Sequence, residues 1–233
     1  VKRYLAALAA LSLVMGLSLA VPGAQAADEP PPNVVFIMLD DVGQGFLDAM
    51  PVVRHQIRSQ GVNFTNGIAP TSWCCPSRAS TLTGNFAHTT GVYTNDSADH
   101  GGWQAFRDDE SSTLATHLDE AGYRTALVGK YLNGFHEAEP SYVPPGWDDF
   151  IAFHNPGYYD YALRGTVQEE YGDSPADYST DVLSSYAVRV VNRTPTDRPL
   201  FLYYSPFAAH PPFVPADRHA GTWPGEPLDG AFN

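Results

Sequence analysis

Hydrophobic positions along the 233-residue chain fall into short continuous runs separated by amphipathic stretches. Asn33 to Leu39 is an unbroken apolar run of strand type, and a run without alternation suits a strand covered on both faces in a parallel sheet. Met50 to Gln60 places Val52, Val53 and Ile57 on one side and stops at Gly61, which predicts an amphipathic helix. Val62 to Ala69 reads as a short strand. Asn85 to Arg107, rich in His, Thr, Gly and Asn, reads as loop, with His88 and His100 left to solvent. Ser111 to Ala121 carries Leu114 and Leu118 on one face, with Ser112 as its cap. Tyr123 to Val128 alternates like a strand, and Pro140 to Tyr161 is a packed loop dense in Pro, Gly and aromatics. Asp177 to Val191 fits a longer helix with Val182, Leu183, Tyr186, Val190 and Val191 toward the core. Pro199 to Tyr204 is a further apolar strand. This alternation predicts an α/β fold with a mainly parallel sheet between helix layers.

Residues 1 to 26 follow a different pattern. Lys2 and Arg3 precede a long apolar run from Leu5 to Val21, and Ala24-Gln25-Ala26 supplies a small-x-small cleavage site, so the segment reads as an export signal. The Pro22-Gly23 break and that site weigh against an uncleaved anchor. Residues 27 to 32 form a Pro-rich linker, and residues 33 to 233 show no repeat or second linker. The expected destination is therefore secreted, extracellular or periplasmic.

Composition narrows the partners. With 43% hydrophobic and 17% charged residues the chain is globular, and its formal charge of -13 argues against nucleic acid or an anionic membrane. An anionic substrate must then be held by a few local cations. The two cysteines are adjacent, so they cannot staple distant segments.

Those cysteines lie in Ser72-Trp-Cys-Cys-Pro-Ser-Arg-Ala-Ser-Thr-Leu-Thr-Gly84. Proline is favoured at the first position of a helix, so the helix is expected to start at Pro76 with Cys74 just before it. Unpaired N–H groups and the helix dipole favour negative charge there, and Arg78 in the first turn adds a cation suited to forked binding of an oxyanion. The apolar run at Asn33 ends in Asp40-Asp41, where a parallel sheet gathers ligands; two carboxylates there suit a hard cation or, equally, a solvated turn or helix cap.

The Cys-x-Pro-Ser-Arg run with Thr83-Gly84 resembles the sulfatase signature, with Trp73 and Thr81 as departures from it. Gly122-Tyr-Arg-Thr-Ala-Leu-Val-Gly-Lys-Tyr-Leu132 resembles the second signature of the same family. The resemblance implies an alkaline-phosphatase-like fold and a Cys74 that is oxidised to formylglycine by a formylglycine-generating enzyme. The hydrated aldehyde of that family attacks sulfur and later expels sulfate. It further implies that Asp40, Asp41 and the Cys74-derived oxygen bind calcium, that Arg78 steadies the nucleophile, and that Lys130 and His210 hold the sulfate. His210, in an Ala-His-Pro-Pro run, is the expected acid toward the leaving oxygen. Asn133 stands where arylsulfatases use a histidine and is expected to touch substrate. In motif detail the chain is most similar to N-acetylglucosamine-6-sulfatases and heparan-type sulfatases, which implies a sulfated amino-sugar or glycan substrate.

The family completes its calcium site with a later Asp-Asn pair and a further lysine that are not identifiable before Asn233, so the fold is expected to be incomplete at the C-terminus. Two alternatives stand beside the sulfatase reading. One is a phosphodiesterase or phosphonate hydrolase using the same aldehyde; the other is a non-catalytic binder of anionic glycans.

Overall fold

The structure is a computed structural model that describes residues 30–222. The export signal lies outside the described residues. Six strands, β1 (Val34–Ile37), β2 (Arg124–Gly129), β3 (Asp149–Asn155), β4 (Tyr161–Gly165), β5 (Glu169–Tyr171) and β6 (Leu200–Ser205), form one sheet in the order β1-β6-β2-β3-β4-β5. β1, β6, β2 and β3 are parallel, while β4 and β5 extend the sheet antiparallel.

Side chains alternate across a strand, so each strand feeds two cores. Leu127, Phe150, Phe201 and Tyr203 pack with Ala79 and Leu82 of helix α1 (Cys74–Thr83) and Ala115 of α2 (Leu114–Glu120). Ala126, Val128, Ile151, Leu200 and Leu202 pack with Leu183, Tyr186 and Val190 of α3 (Ser179–Arg193). The sheet is thus sandwiched between helices, as the alternation of elements predicts. The spacing of Leu183, Tyr186 and Val190 is that of one helical face. Val191 falls off that face and is 47% exposed, which corrects its assignment to the core.

Several local expectations change. α1 begins at Cys74 with Trp73 as its N-cap residue, so Pro76 is the third helical residue and Arg78 lies in the second turn. The first turn has no intrahelical N–H bonds to lose, which is why proline is tolerated two residues later than expected. α2 is capped by Thr113, not Ser112, through a reciprocal box with Thr116. Residues 62–69 form no strand, and Val62, Phe64 and Ile68 are exposed. The stretch from Pro51 is helical but ends in a π-type turn, Arg54–Arg58, with Val52 and Ile57 also exposed. The loop expected from Asn85 contains short helices at Ala87–Thr90 and Gly102–Phe106. The packed loop expected from Pro140 contains β3, whose Phe-Ile-Ala-Phe run is buried on both faces.

β1 departs in a further way. Its apolar run predicts burial on both faces, yet Val35 is 52% and Ile37 47% exposed. It is the edge of the described sheet, paired only with β6.

Two features fix the framework beneath the strand ends. Glu110 is buried and accepts hydrogen bonds from Trp103 Nε1 (2.9 Å), Tyr131 OH (3.0 Å) and Tyr142 OH. A buried carboxylate with three donors escapes the penalty of an unpaired one. Gly129 adopts φ +121°, and a Cβ there would fall 1.9 Å from the Ser205 carbonyl oxygen. Only glycine permits this approach, which lets Lys130 N–H donate to Ser205 O at 2.7 Å.

The packing of α3 yields a stability test. Leu183→Ala is expected to cost about 2–5 kcal/mol, whereas Val191→Ala should stay within about 0.5 kcal/mol. Urea unfolding of both variants measures the difference, and equal losses would contradict the assigned buried face.

Candidate active site

The segments that follow β1 and β6 and the start of α1 line one cavity of about 800 Å³, whose wall includes Asp40, Asp41, Cys74, Ser77 and Arg78. Asp40 follows β1 and is 3% exposed. Its backbone is tied to the segment after β6: Asp40 N–H donates to Ala208 O at 3.4 Å, and Ala209 N–H donates to Asp40 O at 3.1 Å. Its carboxylate accepts from Lys130 Nζ on Oδ2 at 2.6 Å and from Arg78 on Oδ1 at 3.2 Å. Burial pushes the Asp40 carboxyl upward, but Arg78, Lys130 and His210 outweigh it and hold the group below its ordinary range.

The guanidinium of Arg78 also donates to Lys130 O at 2.8 Å and Ser205 Oγ at 2.7 Å. Arg78 is therefore a buried brace between α1, β2 and β6, not the open fork for an oxyanion that the motif suggests. Lys130 likewise lies behind Asp40, 3% exposed. Two buried cations face one buried carboxylate, and the more exposed Asp41 carboxylate balances the remaining formal charge of the cluster.

Cys74 Sγ lies 3.7 Å from Asp40 Oδ1 and 3.9 Å from Asp41 Oδ1. Burial raises the pKa of its thiol; Lys130 and Arg78 oppose this, and the two carboxylates reinforce it. An unmodified Cys74 is thus a protonated thiol, poorly suited to act as a thiolate nucleophile. Cys75 is fully buried and pushed up to about 11, mainly by burial. Its N–H donates to Asn95 Oδ1 at 2.8 Å, so Asn95 caps the start of α1 from another segment.

His210 approaches from the other side, with Nε2 3.6 Å from Asp41 Oδ2. Its Nδ1 lies 2.7 Å from Pro211 O. A carbonyl only accepts, so Nδ1 carries the proton and Nε2 is left facing the aspartates. The ring stacks on Phe207 at 4.7 Å, and Tyr158 OH donates to the His210 carbonyl at 2.7 Å.

Asp40, Asp41, Cys74, Arg78, Lys130 and His210 are therefore brought together as the sequence predicts. Asn133 is not: its N–H donates to Cys75 Sγ and its carbonyl accepts from Trp103 N–H, and it lines a separate cavity. Ser205, Phe207 and Asn95 were not marked by the sequence. Ser205 directly follows an apolar strand, which was the one available signal.

Atoms of Asp40, Cys74 and His210 lie within 4.8 Å of one another, and Asp41 approaches both Cys74 and His210. Two carboxylates with their oxygens at one cavity mouth fit a hard cation as part of its shell. Calcium takes about six to eight oxygens, more than these two aspartates supply.

The comparisons with known proteins agree with this geometry. A family model described as Sulfatase matches residues 32–226. The extracellular sulfatase SULF-1 homolog of Drosophila melanogaster is 35% identical over 195 residues, covering 80% of this chain and 17% of the relative. Human N-acetylglucosamine-6-sulfatase is 31% identical over 223 residues, covering 91% and 40%. The chain thus spans well under half the length of these curated relatives. Among solved structures, one in complex with its substrate D-glucosamine-2-N,6-O-disulfate aligns with TM-score 0.66 at 24% identity, covering 83% of this chain and 37% of that one. The phosphonate monoester hydrolase of Agrobacterium radiobacter aligns with TM-score 0.54 at 19% identity, covering 81% and 43%; both share the alkaline-phosphatase-like α/β fold. With its family match, its fold and the cluster at Cys74 in agreement, the chain belongs to the sulfatase family.

Proposed function

We propose that this chain serves the hydrolysis of sulfate esters, on amino-sugars or related glycans, outside the cytoplasm, with Cys74 converted to formylglycine. One observation carries the reading. Five residues spread from Asp40 to His210 gather around the Cys74 thiol, with two buried cations against one buried carboxylate. The names of the curated relatives support the reaction, and those called extracellular sulfatases support export. Among the described residues no helix is long and apolar enough to cross a membrane.

The roles follow from position. Residue 74, at the first turn of α1, sits where the helix end and the Arg78–Lys130 cations favour an anion. The converted residue supplies a hydroxyl nucleophile in place of sulfur. Asp40 and Asp41 would hold calcium, together with oxygens beyond those they offer, and the ion would supply positive charge against the ester oxygens. Arg78 and Lys130 fix Asp40 and surround the site with positive charge. His210 keeps its Nδ1 proton on Pro211 O with Nε2 toward Asp41, so delivery of a proton to the leaving oxygen from Nε2 uses the imidazolium form, in which both nitrogens carry protons.

Three outcomes are expected. Mass spectrometry of the protein made with a formylglycine-generating enzyme should show Cys74, and not Cys75, as an aldehyde that has lost its sulfur; a persistent thiol at position 74 would remove the mechanism. In protein so converted, His210→Ala should lower kcat for sulfate esters by about 10²–10⁴, most for poor leaving groups. Faster turnover of matched phosphate or phosphonate esters would instead assign the chain to those substrates.

The third concerns Asp40, whose folded pKa is depressed. Its contribution to stability is present above the ordinary carboxylate range and is lost as pH falls through the folded value. Asp40→Asn should remove that acid-side dependence and cost about 3–5 kcal/mol, because Arg78 and Lys130 then lack their buried counter-charge. Unfolding midpoints measured from neutral to acidic pH read both effects.

A further inference from the structure

A second cavity, of about 400 Å³, has Trp73, Asn95, Asp96, Asn133, His136 and Glu137 in its wall. It adjoins the nucleophile's own segment, since Trp73 immediately precedes Cys74 and Asn95 caps Cys75. Trp73 is 55% exposed, and its indole makes no ring contact or hydrogen bond among the described residues. The side-chain amide of Asn133 is equally unengaged, although its backbone is pinned on both sides by Cys75 and Trp103.

The carboxylates are held but not used up. Glu137 Oε2 accepts from Gln104 Nε2 at 2.6 Å, leaving Oε1 open, and Asp96 Oδ1 accepts from Ala98 N–H at 2.9 Å. No lysine or arginine lines this cavity, in contrast to the Cys74 site with Arg78 in its wall and Lys130 behind Asp40. An open indole face offers a stacking surface for a sugar ring or an ammonium group. Free carboxylate oxygens accept from hydroxyl or ammonium groups and repel a further anion.

We infer that this cavity holds the sugar of the sulfate ester and selects a hexosamine with a free amine over one carrying a second sulfate on that amine. The inference rests on the reading of the Cys74 cavity as the sulfate site, and adds a selectivity that the cluster there does not supply. Trp73 provides the face, Asn133 an amide for a ring hydroxyl, and Asp96 with Glu137 the charge that discriminates.

The test is ligand-observed NMR titration of the full chain with three probes: methyl glucosaminide 6-sulfate, its N-sulfated counterpart, and ethyl sulfate, which has no sugar. The free-amine sugar is expected to bind about tenfold more tightly than the N-sulfated one, equivalent to about 1.4 kcal/mol. Trp73→Ala should weaken the free-amine sugar about fivefold or more, in keeping with loss of an aromatic or cation–π contact, and leave ethyl sulfate unchanged. Glu137→Gln should narrow the gap between the two sugars. Equal binding of the two sugars by the wild type would overturn the inference, as would a Trp73→Ala loss shared equally by ethyl sulfate. Sugar selectivity that depends on Trp73, with no binding of ethyl sulfate, would sink the sulfate-site reading and leave the cavity's role standing. Failure of all three probes to bind would remove both.

Discussion

A single buried carboxylate holds the site together. Asp40 receives Lys130 from the end of β2 and Arg78 from α1, while its backbone bonds the segment that carries His210. Desolvating three charges is costly, and only close pairing with further hydrogen bonds offsets it. Arg78 meets that condition through Ser205 Oγ and the Lys130 carbonyl. The geometry around Cys74 is thus set by an electrostatic knot behind it, more than by the residues that face the cavity.

That arrangement separates the conformational from the chemical roles of charge. The protein is acidic overall, with 26 Asp and Glu against 13 Lys and Arg. At the carboxyl end of the parallel strands two cations are enclosed with one anion, and Asp41 at the cavity brings the formal count level. Held in a dry framework, these charges are screened less than exposed ones. Arg78 and Lys130 therefore supply a local positive contribution at this cavity that the remaining acidic surface lacks.

The layers of the fold were legible because their signals are local. Leu200 to Tyr204, Tyr123 to Val128 and the α3 face carry periodicities that burial enforces. The site residues were legible through motif spacing, which brought Asp40, Cys74, Arg78, Lys130 and His210 forward. Their partnerships were not: nothing in Cys-x-Pro-Ser-Arg reveals that Arg78 spends its donors on Ser205, 127 positions away. β3 was missed because its short Phe-Ile-Ala-Phe run is embedded among aromatics and glycines that read as loop. The Val62–Ala69 strand failed for the opposite reason, since its apolar residues have no packed partner among the described elements. Asn133 was placed by analogy of motif, and the chain's tertiary path carried it to the neighbouring cavity.

The exposed edge of β1 has a mechanical meaning. Its outer row of peptide groups is unpaired within the described sheet, and three residues beyond its last member the chain reaches the carboxylate at the centre of the charge cluster. A strand zipped along that edge would stiffen the backbone leading directly into Asp40 and Asp41. Anything that occupies this flank thereby acts as a splint for Asp40 and Asp41 without touching the cavity itself.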